Sequence, residues 1–147
     1  MDEIVTAIEI DASAERLWQV LTDFPAYSQW NSVVQEIRGE AIPGTWLQVR
    51  VRLLAGMVMS FRSRVLRAEH RRELRWQGQF LRFWLFAGTH SFVIEPLGNG
   101  RARFVQRAVY TGLLVPVILL PIGASTRRVF ETMNKALKAR AEKPDSV

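Results

Sequence analysis

Apolar and polar residues alternate along most of this chain, and the period of that alternation predicts its elements. Residues 3–10 alternate with a period of two, which predicts a strand. From Ala12 the spacing becomes helical, with Leu17, Val20, Leu21 and Phe24 on one face and Ser13 placed as the N-cap. Pro25 ends that helix and opens a second short helical turn carrying Tyr27 and Trp30. The period then returns to two as far as about residue 111, predicting strands near 33–40, 45–54, 58–68, 73–80, 88–97 and 101–111. Turn chemistry separates them: "IPG" at 42–44, "AEHRRE" at 68–73 and "PLGNGR" at 96–101. The stretch "LRFWLFAG" at 81–88 fits either a continued strand or an apolar loop. Helical spacing resumes over 122–142. Ile122, Val129, Phe130, Met133, Ala136 and Leu137 lie on one side, and Arg127, Arg128, Glu131, Lys135 and Lys138 on the other.

Short links make consecutive strands pair antiparallel, so the expected architecture is α+β. It consists of about seven strands in one curved antiparallel sheet, two short helices after the first strand, and one long C-terminal helix. That last helix is the only element long enough to cover a sheet face. No repeat or low-complexity linker interrupts residues 1–147, which read as a single domain. A curved sheet wrapped around one helix leaves a wedge of space where a ligand could sit.

The apolar run "GLLVPVILLPIG" at 112–123 is too short to cross a bilayer, since a spanning helix needs about 20 residues, and Pro116 and Pro121 interrupt it. The expectation is a lid and wall of the wedge, although a transient membrane-surface contact and a partner surface stay open. The N-terminus "MDEIVTAIEI" has the wrong charge sign for a signal peptide, which points to the cytoplasm. The formal net charge is +6, but 17 of the 20 basic residues are arginines spread along the chain, many on the outward parity of strands. Such a diffuse pattern lacks the concentrated patch that nucleic-acid binding needs.

Outward arginines fix the inward set of each strand. Arg62 and Arg64 turn Met59, Phe61, Ser63 and Val65 inward, and Arg75 does the same for Leu74, Trp76, Gly78 and Phe80. Arg103 and Arg107 leave Phe104, Gln106, Ala108 and Tyr110 inside, while Phe92 and Ile94 share their inward parity with His90. Phe130 and Met133 face this lining from the last helix. The predicted interior is aromatic and almost uncharged, with Ser63, His90, Gln106 and the Tyr110 hydroxyl as its polar members. One reading makes these ordinary core groups satisfied by backbone or water. The other has His90 and Gln106 hydrogen-bond the polar end of an apolar ligand.

Catalytic and cofactor chemistry finds little support. There are no cysteines, and His70 and His90 are the only histidines, so no metal site forms and no cofactor is implied. Ser63 and His90 have no acid behind them to complete a nucleophilic arrangement. An enzyme of this chain would have His90 as its acid–base residue.

The pattern "ASAERLWQVLTDFPAYSQWN", then "IRGEAIPGTWLQV", "GTHSFVIEPLGNGRARFVQRAVYTGLL" and a basic amphipathic last helix resembles the START and pollen-allergen (SRPBCC) superfamily. Within it the chain is most similar to bacterial polyketide cyclase/dehydratase-like proteins, over about residues 3–142. The resemblance implies a helix-grip fold with a deep hydrophobic cavity, whose occupants across the superfamily include lipids, sterols, polyketides, plant hormones and quinones. Only some members are enzymes. Two positions depart from the pattern. Ser32 replaces the proline that usually follows Trp-Asn, and Ala108 stands where a carboxylate is frequent in the last strand. The expected function is binding or transport of a hydrophobic small molecule. The alternatives are a cyclase/dehydratase using the same cavity, and a protein-partner or structural role for exposed apolar segments.

Overall fold

A computed structural model describes residues 2–52, 56, 58–79, 82, 84–119 and 123–143. The elements follow in the order β1 (Asp2–Ile10), α1 (Ala14–Thr22), a 3₁₀ turn (Phe24–Gln29), β2 (Val34–Arg38), β3 (Trp46–Arg52), β4 (Val58–Glu69), β5 (Glu73–Gln79), β6 (Ala87–Gly98), β7 (Arg101–Thr111), α2 (Val115–Leu119) and α3 (Gly123–Glu142). All pairings are antiparallel, in the order β1-β7-β6-β5-β4-β3-β2. This is the helix-grip arrangement, a curled seven-stranded sheet closed over by a long C-terminal helix.

The chain crosses from one edge of the sheet to the other only once. After β1, helix α1 and the 3₁₀ turn carry it to the far edge. The meander β2 to β7 then walks back until β7 pairs with β1. Ser13 starts α1 as an N-cap, its hydroxyl accepting from the Arg16 N–H at 3.1 Å. Asn31 starts β2, its Oδ1 accepting from the backbone N–H groups of Val33 and Val34, both at 2.9 Å. Asn99 and Gly100 take positive φ (55° and 71°) between β6 and β7, as a tight hairpin requires. Register shifts at Val34/Glu36, Val65/Arg67 and Pro96/Gly98 act as bulges that bend the strands and deepen the concave face.

The interior has two parts. The larger core lies beneath α1, the 3₁₀ turn and the C-terminal half of α3, and includes Leu17, Tyr27, Leu47, Phe92, Phe104 and Leu137. A smaller cluster of Ile4, Ala108, Tyr110, Val115 and Phe130 occupies the other end. Helix α3 presents Phe130, Met133, Leu137 and Ala141 to the interior, with Val129 half-buried beside them. Ile122 lies outside the described residues.

Two local outcomes refine the sequence reading. Of the two options for 81–88, the loop is the one adopted by the described residues before β6. Arg82 to Phe86 make a turn, with the Leu85 and Phe86 N–H groups donating to the Arg82 carbonyl, and β6 begins at Ala87. The apolar run contains the five-residue helix α2 despite its prolines. Pro116 sits in the first turn, where its missing N–H would have had no helical partner.

Candidate functional site

One end of the sheet gathers the termini of β3, β5 and β7, the starts of β1, β4 and β6, and the first turns of α3. The connections leaving this end contain residues 53–55, 57, 80, 81, 83 and 120–122, all outside the described residues, so Phe80 cannot be placed. Burial along the inward positions falls toward this end. On β4, Val65 and Ser63 are buried, whereas Phe61 and Met59 are half-exposed.

Register aligns the inward side chains in two neighbouring rows. The first runs Ser63, Gly78, Gly88, Tyr110 across β4, β5, β6 and β7. Two glycines face each other in its middle, Gly78 half-buried and Gly88 buried under the Tyr110 ring. A Cβ at Gly88 would meet Tyr110 Cε1 at 3.0 Å, and one at Gly78 would meet Ser63 Oγ at 3.0 Å. The second row runs Val65, Trp76, His90, Ala108, Ile4. His90 therefore lies across from Ala108, while Gln106 lies across from Phe92.

His90 is enclosed by aromatic rings. Its centroid is 5.9 Å from Tyr110, edge-on, 5.9 Å from Phe130 and 6.5 Å from Trp76. Phe86 stacks on the other side of Tyr110 at 5.7 Å. Among the described residues neither the His90 nitrogens, nor the Tyr110 hydroxyl, nor Ser63 Oγ has a hydrogen-bond partner. His90 keeps some accessible surface, yet its surroundings offer an imidazolium no carboxylate. Burial lowers its pKa to about 4, so the ring is neutral at pH 7. Burial likewise raises the Tyr110 phenol to about 12.

Gln106 belongs to a different environment. Its amide donates to Asn134 Oδ1 at 2.8 Å and to the Phe130 carbonyl at 3.4 Å, and Asn134 in turn donates to the Thr6 hydroxyl at 2.8 Å. Its donors are committed to holding α3 on the sheet. Phe92 and Phe104 stack at 6.1 Å and, with Met133, fill the larger core. The expected lining thus separates into a packed group (Phe92, Phe104, Gln106, Met133) and an end group (Met59, Phe61, Ser63, His90, Tyr110, Phe130), with Trp76 and Ala108 between them. Sequence reading missed Asn134 and Thr6. A polar residue on the apolar stripe of α3 was the only available signal.

Two surface hollows accompany this arrangement. A groove of 480 Å³ runs over β2, β3 and β4 past Arg38, Trp46, Phe61 and Arg62. A smaller one of 180 Å³ lies between α1, the 3₁₀ turn and the end of α3. Neither is lined by His90 or Tyr110. Among the described residues no cluster of three or more histidine, cysteine or acidic side chains could hold a metal, and no helix is long and apolar enough to cross a membrane.

A family model described as "Polyketide cyclase / dehydrase and lipid transport" matches residues 1–142. The chain belongs to that family. No protein of curated function matches it significantly in sequence. Solved structures share its fold across nearly its full length. A START superfamily protein from Mycobacterium smegmatis is 20% identical with a TM-score of 0.72, over 95% of this chain and 97% of that one. The Zhui aromatase/cyclase from Streptomyces sp. R1128 is 16% identical with a TM-score of 0.76, over 96% and 93%. Norcoclaurine synthase from Thalictrum flavum, solved with dopamine and hydroxybenzaldehyde, is 16% identical with a TM-score of 0.72, over 99% and 89%. At these identities the likeness concerns the fold of this family member.

Proposed function

We propose that the protein binds a mainly apolar small molecule, of lipid, quinone or polyketide type, at the open end of the sheet beneath the first turns of α3. The observation that carries this is the trio His90, Tyr110 and Ser63. They are the polar groups on the inward side of an otherwise apolar end of the sheet, and none has a hydrogen-bond partner among the described residues. A neutral imidazole and a neutral phenol suit an uncharged polar end, such as a carbonyl or hydroxyl, and half-buried Gly78, with only Ser63 Oγ and the Arg62 carbonyl near the position of a Cβ, leaves room for an apolar body. Apolar burial supplies most of the affinity. Each neutral hydrogen bond adds about 1 kcal/mol.

The test is displacement of an apolar fluorescent probe by candidate lipids, quinones and polyketides. Gly78→Leu fills that room at a position where the nearest atom to a new Cβ is the side-chain oxygen of Ser63. Loss of probe binding with the fold intact is the expected result; undiminished binding would refute the location. His90→Phe should weaken or redirect binding without abolishing it.

A second reading is a cyclase or dehydratase using the same surface. It is favoured by one observation, the approach of Tyr110 to His90 as a second titratable group. A base with pKa about 4 is poorly matched to proton abstraction near pH 7, which is why binding without turnover ranks first. Mass analysis of a bound polyketide-like compound separates the two: unchanged ligand supports binding, and a His90-dependent loss of water supports the enzyme.

A further inference from the structure

The three most exposed large apolar side chains of the described residues lie on one rim. They are Leu113 (73% exposed), Val117 (71%) and Trp84 (59%). The rim is built, not frayed. The Leu113 N–H donates to the Trp84 carbonyl at 3.1 Å and the Leu114 N–H to the Leu85 carbonyl at 2.9 Å, tying the turn before β6 to the segment after β7. Gly112 permits that approach: its φ is +121°, and a Cβ there would sit 2.3 Å from the Leu85 oxygen. Val115 and Phe86, in turn, anchor the rim to the cluster around Tyr110.

Charge distinguishes this region from the rest of the surface. The segments that build the rim, 82–86 and 112–119, contain one ionisable residue, Arg82, and of the acids that β1 brings to this end of the sheet Glu3 is paired with Arg107. Arg82 belongs to the same turn as Trp84, is exposed, and has no acidic partner among the described residues. An exposed tryptophan with aliphatic neighbours and an arginine without an acidic partner is the composition that settles at the headgroup level of a bilayer. We infer that this rim docks the protein on an anionic lipid surface, with Trp84, Leu113 and Val117 entering the interface and Arg82 contacting lipid phosphates. The inference concerns the outer surface, so it stands whether or not the ligand reading is correct.

The experiment is co-sedimentation of the full chain with vesicles of equal parts phosphatidylglycerol and phosphatidylcholine, and with phosphatidylcholine alone. The protein should partition onto the anionic vesicles, less so in high salt, and weakly onto the neutral ones. Leu113→Ser combined with Val117→Ser should reduce partitioning at least about tenfold, and Arg82→Gln about fivefold on anionic vesicles only. Thermal melting and apolar-probe binding should stay near wild type in these variants, which separates this failure from failure of the ligand site. If the double variant does not fold, brominated lipid should still quench the wild type more than Trp84→Phe. Absence of partitioning, or partitioning indifferent to these substitutions, overturns the inference. So does lipid-free self-association that the double variant abolishes, because the rim would then join copies of the chain.

Discussion

Gln106 and Asn134 hydrogen-bond at 2.8 Å where β7 meets α3, and both are almost fully buried. With Thr6 at the far end, the pair is a polar seam through which β7, α3 and β1 are held in register. The seam explains why an apolar interior tolerates two amides. Each donates to a defined partner on another element.

Asn134→Leu removes the acceptor for Gln106 and the donor to Thr6 while keeping much of the volume. The expected cost is about 1–3 kcal/mol in chemical denaturation. Adding Gln106→Leu should cost less than the sum of the single changes, since it removes the orphaned amide. Strict additivity would show that the two amides act independently.

Phe130 tests the grip itself. It packs from α3 onto His90 and into the cluster with Ile4, Ala108 and Tyr110. Phe130→Ala should destabilise the fold by about 3–5 kcal/mol, the usual range for a buried phenylalanine. A denaturation midpoint within error of wild type would mean that the first half of α3 contributes no packing.

The outer arginines are not equivalent. Arg107 pairs with Glu3 in the open, and Arg107→Ser should change stability by at most about 0.5 kcal/mol. Arg62 lies over the exposed ring of Trp46, 4.5 Å from its centroid. Arg62→Ser should therefore cost more, about 0.5–1 kcal/mol, and Trp46→Ala should remove the difference. Equal effects at Arg62 and Arg107 would show that the stacking contributes nothing.

The fold was legible in the sequence because its signals are local. Alternation with outward arginines gave the inward parity of β4, β5 and β7, and Pro25 and the Asn99-Gly100 turn marked real boundaries. Parity cannot say how deep along a strand a side chain lies, so Phe92 and His90 read alike, although one is packed and the other reaches the open end. For the same reason Gln106 looked available, with His90, to hydrogen-bond the polar end of a ligand. Its partner sits 28 positions later on a helix, where Asn134 looks like one polar residue among several. The rim was visible only as an excess of apolar residues, since the tie between Leu113 and Trp84 depends on chain packing that periodicity does not encode.

His90 supplies the pH test. Its pKa is about 4 in the folded protein and 6.5 in the unfolded chain, so the unfolded state binds the extra proton between those values. The neutral ring's contribution is therefore fully present above pH 6.5 and is lost as pH falls toward 4. The size of the loss falls to the extent that water reaches the ring. His90→Phe lacks this titration, and other groups largely cancel when the two proteins are compared. Wild-type stability should thus drop relative to the variant between pH 6.5 and 4 and track it above pH 7. Parallel curves over the whole range would mean that His90 is solvated like an ordinary surface histidine. A neutral polar contact for an apolar ligand would then lose its main physical support.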